Sequence, residues 1–112
     1  MALQVIFSQK PGPLPINATF TALSDAPCTL VIHGSVWSIA ANQKVGIQVQ
    51  VDGANVGTAQ LFSNGGSTHR AVVPAYIPLT LKQGQHTLTL ALLPGTQTTS
   101  DLNDVFSAVI HY

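Results

Sequence analysis

The sequence predicts an all-β protein, an antiparallel β-sandwich of jelly-roll type with eight or nine short strands. Three observations predict this class. Apolar and polar residues alternate with a period of two along most apolar segments, which is typical of strands with one buried face. Turn residues separate these segments at intervals of 8 to 12 residues. No segment combines a helical period with capping residues, and the alternation argues against a parallel sheet.

The clearest element is a β-hairpin over residues 45–62. Its first strand alternates between an apolar and a polar set, Val45, Ile47, Val49 and Val51 against Gly46, Gln48 and Gln50. Asp52-Gly53-Ala54-Asn55 follows and supplies residues that tolerate the positive φ of a tight hairpin turn. The sequence therefore predicts that the first set is buried and that the second faces solvent.

The other strands are predicted from the same alternation, in chain order at residues 3–8, 18–22, 28–38, 68–74, 77–81, 86–92 and 105–112. Residues 10–15 contain three prolines, which lack the N–H needed for regular pairing, so a loop or an edge crossing is expected there. The strand over 28–38 is expected to bend at Gly34. Two loops stand out, the Gly-rich segment 63–67 and the polar segment 94–104.

Length and composition predict one domain that is neither basic nor acidic. The 112 residues contain four Lys or Arg, four Asp, no Glu and a formal net charge of zero. Four scattered cations cannot form the basic face of a nucleic-acid binder or of a protein that binds anionic membranes. Charged residues make up 7% of the chain, against roughly 25% in an average domain. Either the protein is a well-packed neutral monomer or, as we expect, part of its surface is buried in a homo-oligomer.

The number of cysteines and the N-terminal segment indicate in which cellular compartment the protein is expected. Cys28 is the only cysteine, which excludes an intrachain disulfide, and its apolar neighbours predict a small buried side chain. Residues 1–7 lack the basic and long apolar regions of a secretory signal, and no apolar run reaches the length of a membrane span. The expectation is synthesis in the cytoplasm, or export by a route without a secretory signal peptide.

Acidic residues are concentrated in Ser100-Asp101-Leu102-Asn103-Asp104. Oxygen ligands at alternating loop positions suit a hard cation such as calcium, which needs six to eight oxygens. The alternative is an Asx-turn that starts the last strand, with the side chains bonded to local amides. In that case replacing both aspartates with Asn would cost no more than about 1 kcal/mol.

The piece Asp101-Leu102-Asn103-Asp104, followed by a closing strand, resembles the calcium loop of the small fucose- and mannose-binding bacterial lectins. The resemblance implies that Asp101, Asn103 and Asp104 are calcium ligands and sugar contacts. The family has further acids just upstream, where this chain has Thr and Ser. A vaguer likeness, in strand number, low charge and the aromatic closing strand, is to the tumour-necrosis-factor and C1q jelly rolls, which form trimers.

Three further residues are candidates for ligand contacts. His69 and Arg70 follow the Gly-rich loop, and the Arg70 guanidinium is expected either to pair with Asp101 or Asp104 or to hold a ligand. Trp37 is expected either to anchor the core or, if exposed, to stack on a sugar ring.

Motifs for catalysis are absent from the sequence: there is no G-x-S-x-G elbow, no Gly-rich phosphate motif and no Glu to complete a glycosidase pair. The four histidines show no metal-binding spacing. The sequence therefore predicts a non-enzymatic, lectin-like carbohydrate-binding β-sandwich without an organic cofactor, calcium being the candidate ion. The alternative is a structural or assembly protein, an oligomeric jelly-roll subunit such as a viral or phage surface protein.

Overall fold

Nine strands make up the regular structure of residues 2–112, the part of the chain that the computed structural model describes. They are β1 (Leu3–Pro11), β2 (Ile16–Ala22), β3 (Cys28–Val36), β4 (Gln43–Val51), β5 (Ala54–Ser63), β6 (Arg70–Ala71), β7 (Ala75–Leu79), β8 (Gly84–Leu92) and β9 (Val105–His111). One antiparallel sheet has the order β1-β9-β3-β6, with β7 also paired to β3, and the other has the order β2-β8-β4-β5. The predicted antiparallel β-sandwich is confirmed.

The core lies between the two sheets and is built from every second residue of the long strands. The central strands contribute its fully buried side chains, among them Leu30, Ile32, Ile47, Val49, Leu88, Leu90, Phe106 and Ile110. Cys28 is buried and free, as predicted. No helix in residues 2–112 is long and apolar enough to cross a membrane.

The predicted hairpin is β4 and β5, paired in antiparallel register from Gln43↔Ser63 to Val51↔Ala54. Asp52 and Gly53 form the turn with φ of 52° and 82°, the two positive values that a tight two-residue hairpin turn requires. The apolar set of β4 is buried, and Gln48 and Gln50 are half-buried on the opposite face. The predicted orientation of β4 is therefore correct for its apolar set and for the two glutamines. Gly46, predicted to face solvent, is buried, because its N–H bonds to Thr98 Oγ1 and its carbonyl accepts the Leu93 N–H.

Two predicted strands differ most from the structure, while the other boundaries shift by a few residues. β1 does not end before the prolines but continues to Pro11, which pairs with Val105. This is allowed because β1 is an edge strand, where one side of the backbone needs no partner. The strand predicted over 68–74 is reduced to β6, because Val72 N–H bonds to Gly34 of β3 while Val73 N–H bonds to Gln60 of β5. The chain crosses there from one sheet to the other and cannot continue a strand in either.

Candidate functional site

Four segments meet at one end of the sandwich and are held together by backbone hydrogen bonds. Trp37, just after β3, exchanges two bonds of 3.0 and 2.8 Å with Thr99 of the polar loop. The N–H of Ser67 in the Gly-rich loop donates to Ser38 O at 2.6 Å. Gly12 N–H donates to Asp104 O at 2.8 Å. The two loops singled out in the sequence therefore lie side by side at the end of β3.

Asp104 is the centre of this region and is fully buried. Its Oδ1 accepts hydrogen bonds from Ser35 Oγ and His69 Nδ1, both at 2.7 Å. Its Oδ2 accepts the Asp101 N–H at 2.8 Å. A buried carboxylate is tolerated only when it is paired and hydrogen-bonded, and Asp104 meets both conditions.

Gly12 allows the acidic loop to pack closely against the chain after β1. A Cβ at this position would lie 2.6 Å from Asp101 O and 3.0 Å from Ser100 Oγ. Since real Cβ atoms do not approach a backbone oxygen that closely, the position favours glycine. The adjoining backbone is fixed by Leu14 N–H, which donates to Ser100 Oγ at 2.9 Å.

His69 links the buried carboxylate to the surface. The hydrogen bond to Asp104 raises the pKa of His69, and the charges of Asp104 and Asp101 add to the rise, against a smaller effect of desolvation. The second ring nitrogen, Nε2, lies 3.6 Å from Asp101 Oδ2, within ion-pair range but too far for a hydrogen bond. The imidazole is therefore protonated up to a higher pH than a free histidine, and in that form Nε2 is a donor beside a half-exposed carboxylate.

Trp37 flanks His69, with ring centroids 5.8 Å apart and planes inclined by 46°. The indole is half-buried and does not belong to the cluster of buried core residues. Its Nε1 is buried and has no hydrogen-bond partner within the described residues. The expectation that Trp37 anchors the core is therefore wrong, and the alternative expectation, a sugar contact, stays a prediction.

Asp101 and Asn103 form the Asx-turn that the sequence suggested as an alternative. Asp101 Oδ1 accepts the Asn103 N–H at 2.8 Å, and Asp104 N–H donates to Asp101 O at 3.1 Å. Asp101 Oδ2 faces His69, and 40% of the Asp101 side chain is exposed. Local turn formation explains one Asp101 oxygen and leaves the other available to a ligand.

Arg70 does not make the acidic pair that was expected; His69 makes it instead. Arg70 is exposed, and its guanidinium lies beside Gly65, where an added Cβ would be 3.5 Å from Nη2. Side chains of consecutive residues alternate in direction along extended backbone, so two adjacent residues do not both face the acidic loop. The sequence predicted a basic partner for the acidic loop at Arg70, and the structure places it at the neighbouring residue, His69.

His69, Asp101 and Asp104 are close enough to share a metal ion, since one ligand atom from each lies within 4.8 Å of the others. A nitrogen with two carboxylates is a donor set of the kind that zinc accepts. It fits calcium poorly, because calcium takes six to eight oxygens and both Asp104 oxygens are already engaged by hydrogen bonds. Asn103, the third ligand implied by the lectin resemblance, contributes its backbone N–H to Asp101.

A shallow depression of about 230 Å³ adjoins the buried carboxylate on the outer surface of the five-stranded sheet. It is lined by His33, Gly34, Ser35, Ala71, Val105 and Ser107. Ser35 is the residue that bonds to Asp104, and Val105 follows Asp104 in the chain. The depression is too small for a large ligand and has the size of a shallow subsite.

A second histidine–aspartate pair, which the sequence did not suggest, fixes the hairpin turn to β8. His86 Nδ1 lies 2.6 Å from Asp52 Oδ2, and His86 Nε2 lies 2.6 Å from Lys82 O. Both ring nitrogens face acceptors, so only the doubly protonated imidazolium satisfies both. The Asp52 hydrogen bond, followed by that of Lys82, raises the pKa of His86, and the same bond to His86 lowers the pKa of Asp52. The pair is 34 residues apart, and no local pattern marks it.

No protein-family model and no curated protein matches the sequence, but solved structures share its fold. A family 36 carbohydrate-binding module of a xylanase from the hindgut metagenome of Trinervitermes trinervoides is 13% identical, with a TM-score of 0.54 over 99% of this chain and 96% of that one. A family 35 module from an environmental isolate is 16% identical, with a TM-score of 0.55 over 96% and 72%. The globular domain of zebrafish complement C1qA is 16% identical, with a TM-score of 0.52 over 96% and 89%.

The chain spans only a small part of some larger matched proteins. It covers 9% of a β-glucosidase from Paenibacillus barengoltzii, at a TM-score of 0.59, 12% identity and 85% of this chain. It covers 13% of a Paenibacillus glucanotransferase, at a TM-score of 0.50, 16% identity and 90% of this chain. The class defined by these similarities is the sandwich or jelly-roll domain that carbohydrate-binding modules and C1q domains share.

Proposed function

We propose that this protein is a lectin-like carbohydrate-binding domain without a catalytic step of its own. The observation that carries the proposal is the grouping of Trp37, His69 and Asp101 at one end of the sandwich. An indole ring that is partly exposed lies beside a ring nitrogen donor and a half-exposed carboxylate acceptor. Aromatic surface combined with a few convergent polar groups is the usual composition of a small-ligand site.

Each of these groups has a place in binding a sugar. The apolar face of a pyranose would stack on the indole of Trp37, while adjacent ring hydroxyls would bond to Asp101 Oδ2 and His69 Nε2. Asp104 would position His69 from behind, and Arg70 and Asn103 would contact the ligand from the rim. A neutral, hydroxyl-rich ligand suits a chain whose formal net charge is zero.

The fold supports the proposal at a coarser level. A chain of this length corresponds almost completely to the xylanase module, a domain named for carbohydrate binding. No active site of the glycosidase kind is suggested by the acids, since Asp104 is buried and engaged by three hydrogen bonds. A metal ion is not needed for the contacts proposed, although His69, Asp101 and Asp104 are placed to accept one.

The test is a glycan array followed by fluorescence titration with the sugars that bind, each with and without chelator. Trp37 is the only tryptophan, so its emission reports directly on a ligand stacked at the site. Trp37→Ala and Asp101→Asn should each weaken binding at least tenfold, whereas Phe62→Ala, which removes an exposed aromatic ring from β5, should leave it unchanged. Absence of glycan binding at millimolar sugar, or equal binding by the Trp37→Ala variant, would overturn the proposal.

A second candidate function, a subunit of a structural assembly, is favoured by the C1q similarity and by the exposed apolar side chains of Leu3, Val5 and Tyr76 on the outer surface of the five-stranded sheet. It does not exclude sugar binding, because the two surfaces are separate. The discriminating observation is the mass of the protein in solution.

A further inference from the structure

The depression of about 230 Å³ lies where the outer surface of the five-stranded sheet is interrupted beside β3. One edge of β3 is paired with β7 up to Ile32 and with β6 from Ser35 onward. The chain between β6 and β7 leaves this sheet, because Val73 N–H bonds to β5 of the other sheet. Within the described part of the chain, no strand therefore pairs with this edge at His33 and Gly34, and the gap forms the depression.

The depression adjoins the candidate sugar site along the outer side of β3. His33, Ser35 and Trp37 alternate with the core residues and so share this outer side. Ser35 lines the depression and bonds to Asp104, whose carboxylate holds His69 beside Trp37. Two residues of a strand span about 6.6 Å, so Trp37 and the far wall at His33 lie about 13 Å apart. This distance exceeds one sugar ring, and the two places form one continuous surface.

Three polar side chains of the depression retain hydrogen-bonding capacity that a ligand can use. Ser107 Oγ accepts the Gln9 N–H at 3.1 Å, which leaves its hydroxyl hydrogen for an acceptor. Ser35 Oγ donates to Asp104 at 2.7 Å, which leaves its oxygen for a donor. His33 lies opposite Ser107 in the strand register and is exposed. A hydroxyl group, which both donates and accepts, matches this mixture of partners.

The rest of the lining is apolar. Gly34, Ala71 and Val105 complete the depression, and among the described residues that line it none is Asp, Lys or Arg. Pockets for drug-sized ligands measure about 300–1,000 Å³, so a depression of about 230 Å³ has room for one ring and not for a larger molecule. A sugar ring is neutral and combines an apolar face with hydroxyl groups, which is the chemistry that this lining can bind.

We propose that the depression is a second sugar subsite, so that the ligand of this protein is a neutral glycan chain of at least two linked rings. One ring stacks on Trp37, and the next passes Ser35 and lies against His33 and Ser107. The inference rests on the proposed function, because it extends the site at Trp37, and it assigns the class of ligand: a chain of sugars and not a free monosaccharide. A second ring adds contacts without a second loss of translational freedom, so the chain binds more tightly than one ring.

The experiment measures how affinity changes when a second ring is added to the sugar. The fluorescence of Trp37 is titrated with glucose, xylose, mannose and galactose, and with the disaccharides that each of these sugars forms with itself. For the sugar that binds, we expect a disaccharide to bind at least tenfold more tightly than the monosaccharide, because only the disaccharide reaches the depression.

Two variants separate the second subsite from the first. His33→Ala removes a polar contact and Ala71→Phe fills the depression, and both positions are exposed, so neither change disturbs the core. Each should lower the affinity for the disaccharide at least tenfold, to that of the monosaccharide, and leave the affinity for the monosaccharide unchanged. His111→Ala is the matched control. It removes an exposed histidine from the same sheet surface, four residues beyond Ser107 on β9, and should change neither affinity.

Amide NMR of the wild type gives a second readout that does not depend on variants. The disaccharide should shift the amides of His33, Ala71 and Ser107, whereas the monosaccharide should shift only those around Trp37. A disaccharide that binds no more tightly than its monosaccharide, or a gain that both variants leave intact, would refute the second subsite while sugar binding at Trp37 stands. Absence of binding by every one of these sugars would contradict the proposed function and the subsite together.

Discussion

Asp104 is the residue whose hydrogen bonds hold the segments of the candidate site together. It is fully buried and accepts three hydrogen bonds, from three different segments of the chain. Ser35 lies 69 residues away and His69 lies 35 residues away, so the carboxylate joins β3, the Gly-rich loop and the acidic loop. Because Asp104 joins distant segments in the interior, its replacement is expected to affect the stability of the fold first and ligand binding second.

Asp104→Asn should lower the free energy of unfolding by about 1–3 kcal/mol. The amide NH₂ cannot accept the Asp101 N–H, and the neutral side chain loses the charge-assisted bond to His69. Asp101→Asn should cost less than about 1 kcal/mol, since Asp101 is half-exposed and Asn also supports an Asx-turn. Urea denaturation of both variants measures the difference. Equal losses in the two variants would show that the burial of Asp104 adds nothing to the cost of its replacement. That result would agree with the sequence-based alternative that both aspartates only form the turn.

The His86–Asp52 pair should make stability depend on pH. The folded state raises the pKa of His86 above 6.5, so the stability that this proton contributes is present below pH 6.5 and is lost as pH rises through the folded pKa. The folded state lowers the pKa of Asp52 below 3.8, so its contribution is present above pH 3.8 and is lost as pH falls through the lower folded pKa. The pair therefore contributes most between these two values.

Thermal melts of the wild type and of His86→Gln across pH 3 to 9 test this. The difference in melting temperature should be largest near pH 5 and should shrink toward both ends. Gln keeps a hydrogen-bonding group without the proton, so the comparison isolates the charge. A difference that is constant across the range would mean that the pair does not titrate with folding.

At the scale of single elements, the β4–β5 hairpin is the element that its own residues predict best. Its turn residues have the φ values that the turn requires, and buried and half-buried residues alternate from Ile47 to Val51 as the sequence predicted, although Gly46 is buried. β3 is different, because one strand pairs with β9 on one edge and with β6 and β7 on the other. The hairpin can be recognised from its own residues, whereas the arrangement around β3 depends on three segments elsewhere in the chain.

Val49→Asp should lower the free energy of unfolding by more than about 3 kcal/mol, because Val49 is 0% exposed and a carboxylate there has no partner. Gln48→Asp, one residue earlier on the half-buried outer face, should cost less than about 1 kcal/mol. Chemical denaturation of the two variants measures both losses in the free energy of unfolding. Similar losses would contradict the inside–outside assignment of β4.

At the scale of the whole molecule, the candidate site lies at one end of an elongated sandwich. The molecule measures 43 × 24 × 21 Å, which is long enough to separate an end with convergent loops from the middle of a sheet surface. The candidate sugar site occupies the end, and the exposed apolar side chains of Leu3, Val5 and Tyr76 lie on the five-stranded sheet.

Local sequence patterns were sufficient to predict most of the strands, the hairpin and the buried cysteine, and the composition has too few cations for a basic surface. These follow from composition and from contacts between neighbours in the chain, because burying one face of a strand forces a period of two. The sequence also located the acidic and Gly-rich loops that form the candidate site. The tertiary structure was needed to show that His69, and not Arg70, meets the acids, that Trp37 is half-buried outside the core cluster, and that Asp52 binds His86. It likewise decided which apolar residues share an outer face, because the register joins distant segments, such as Leu3 of β1 with His111 of β9, and local alternation does not encode which strands become neighbours.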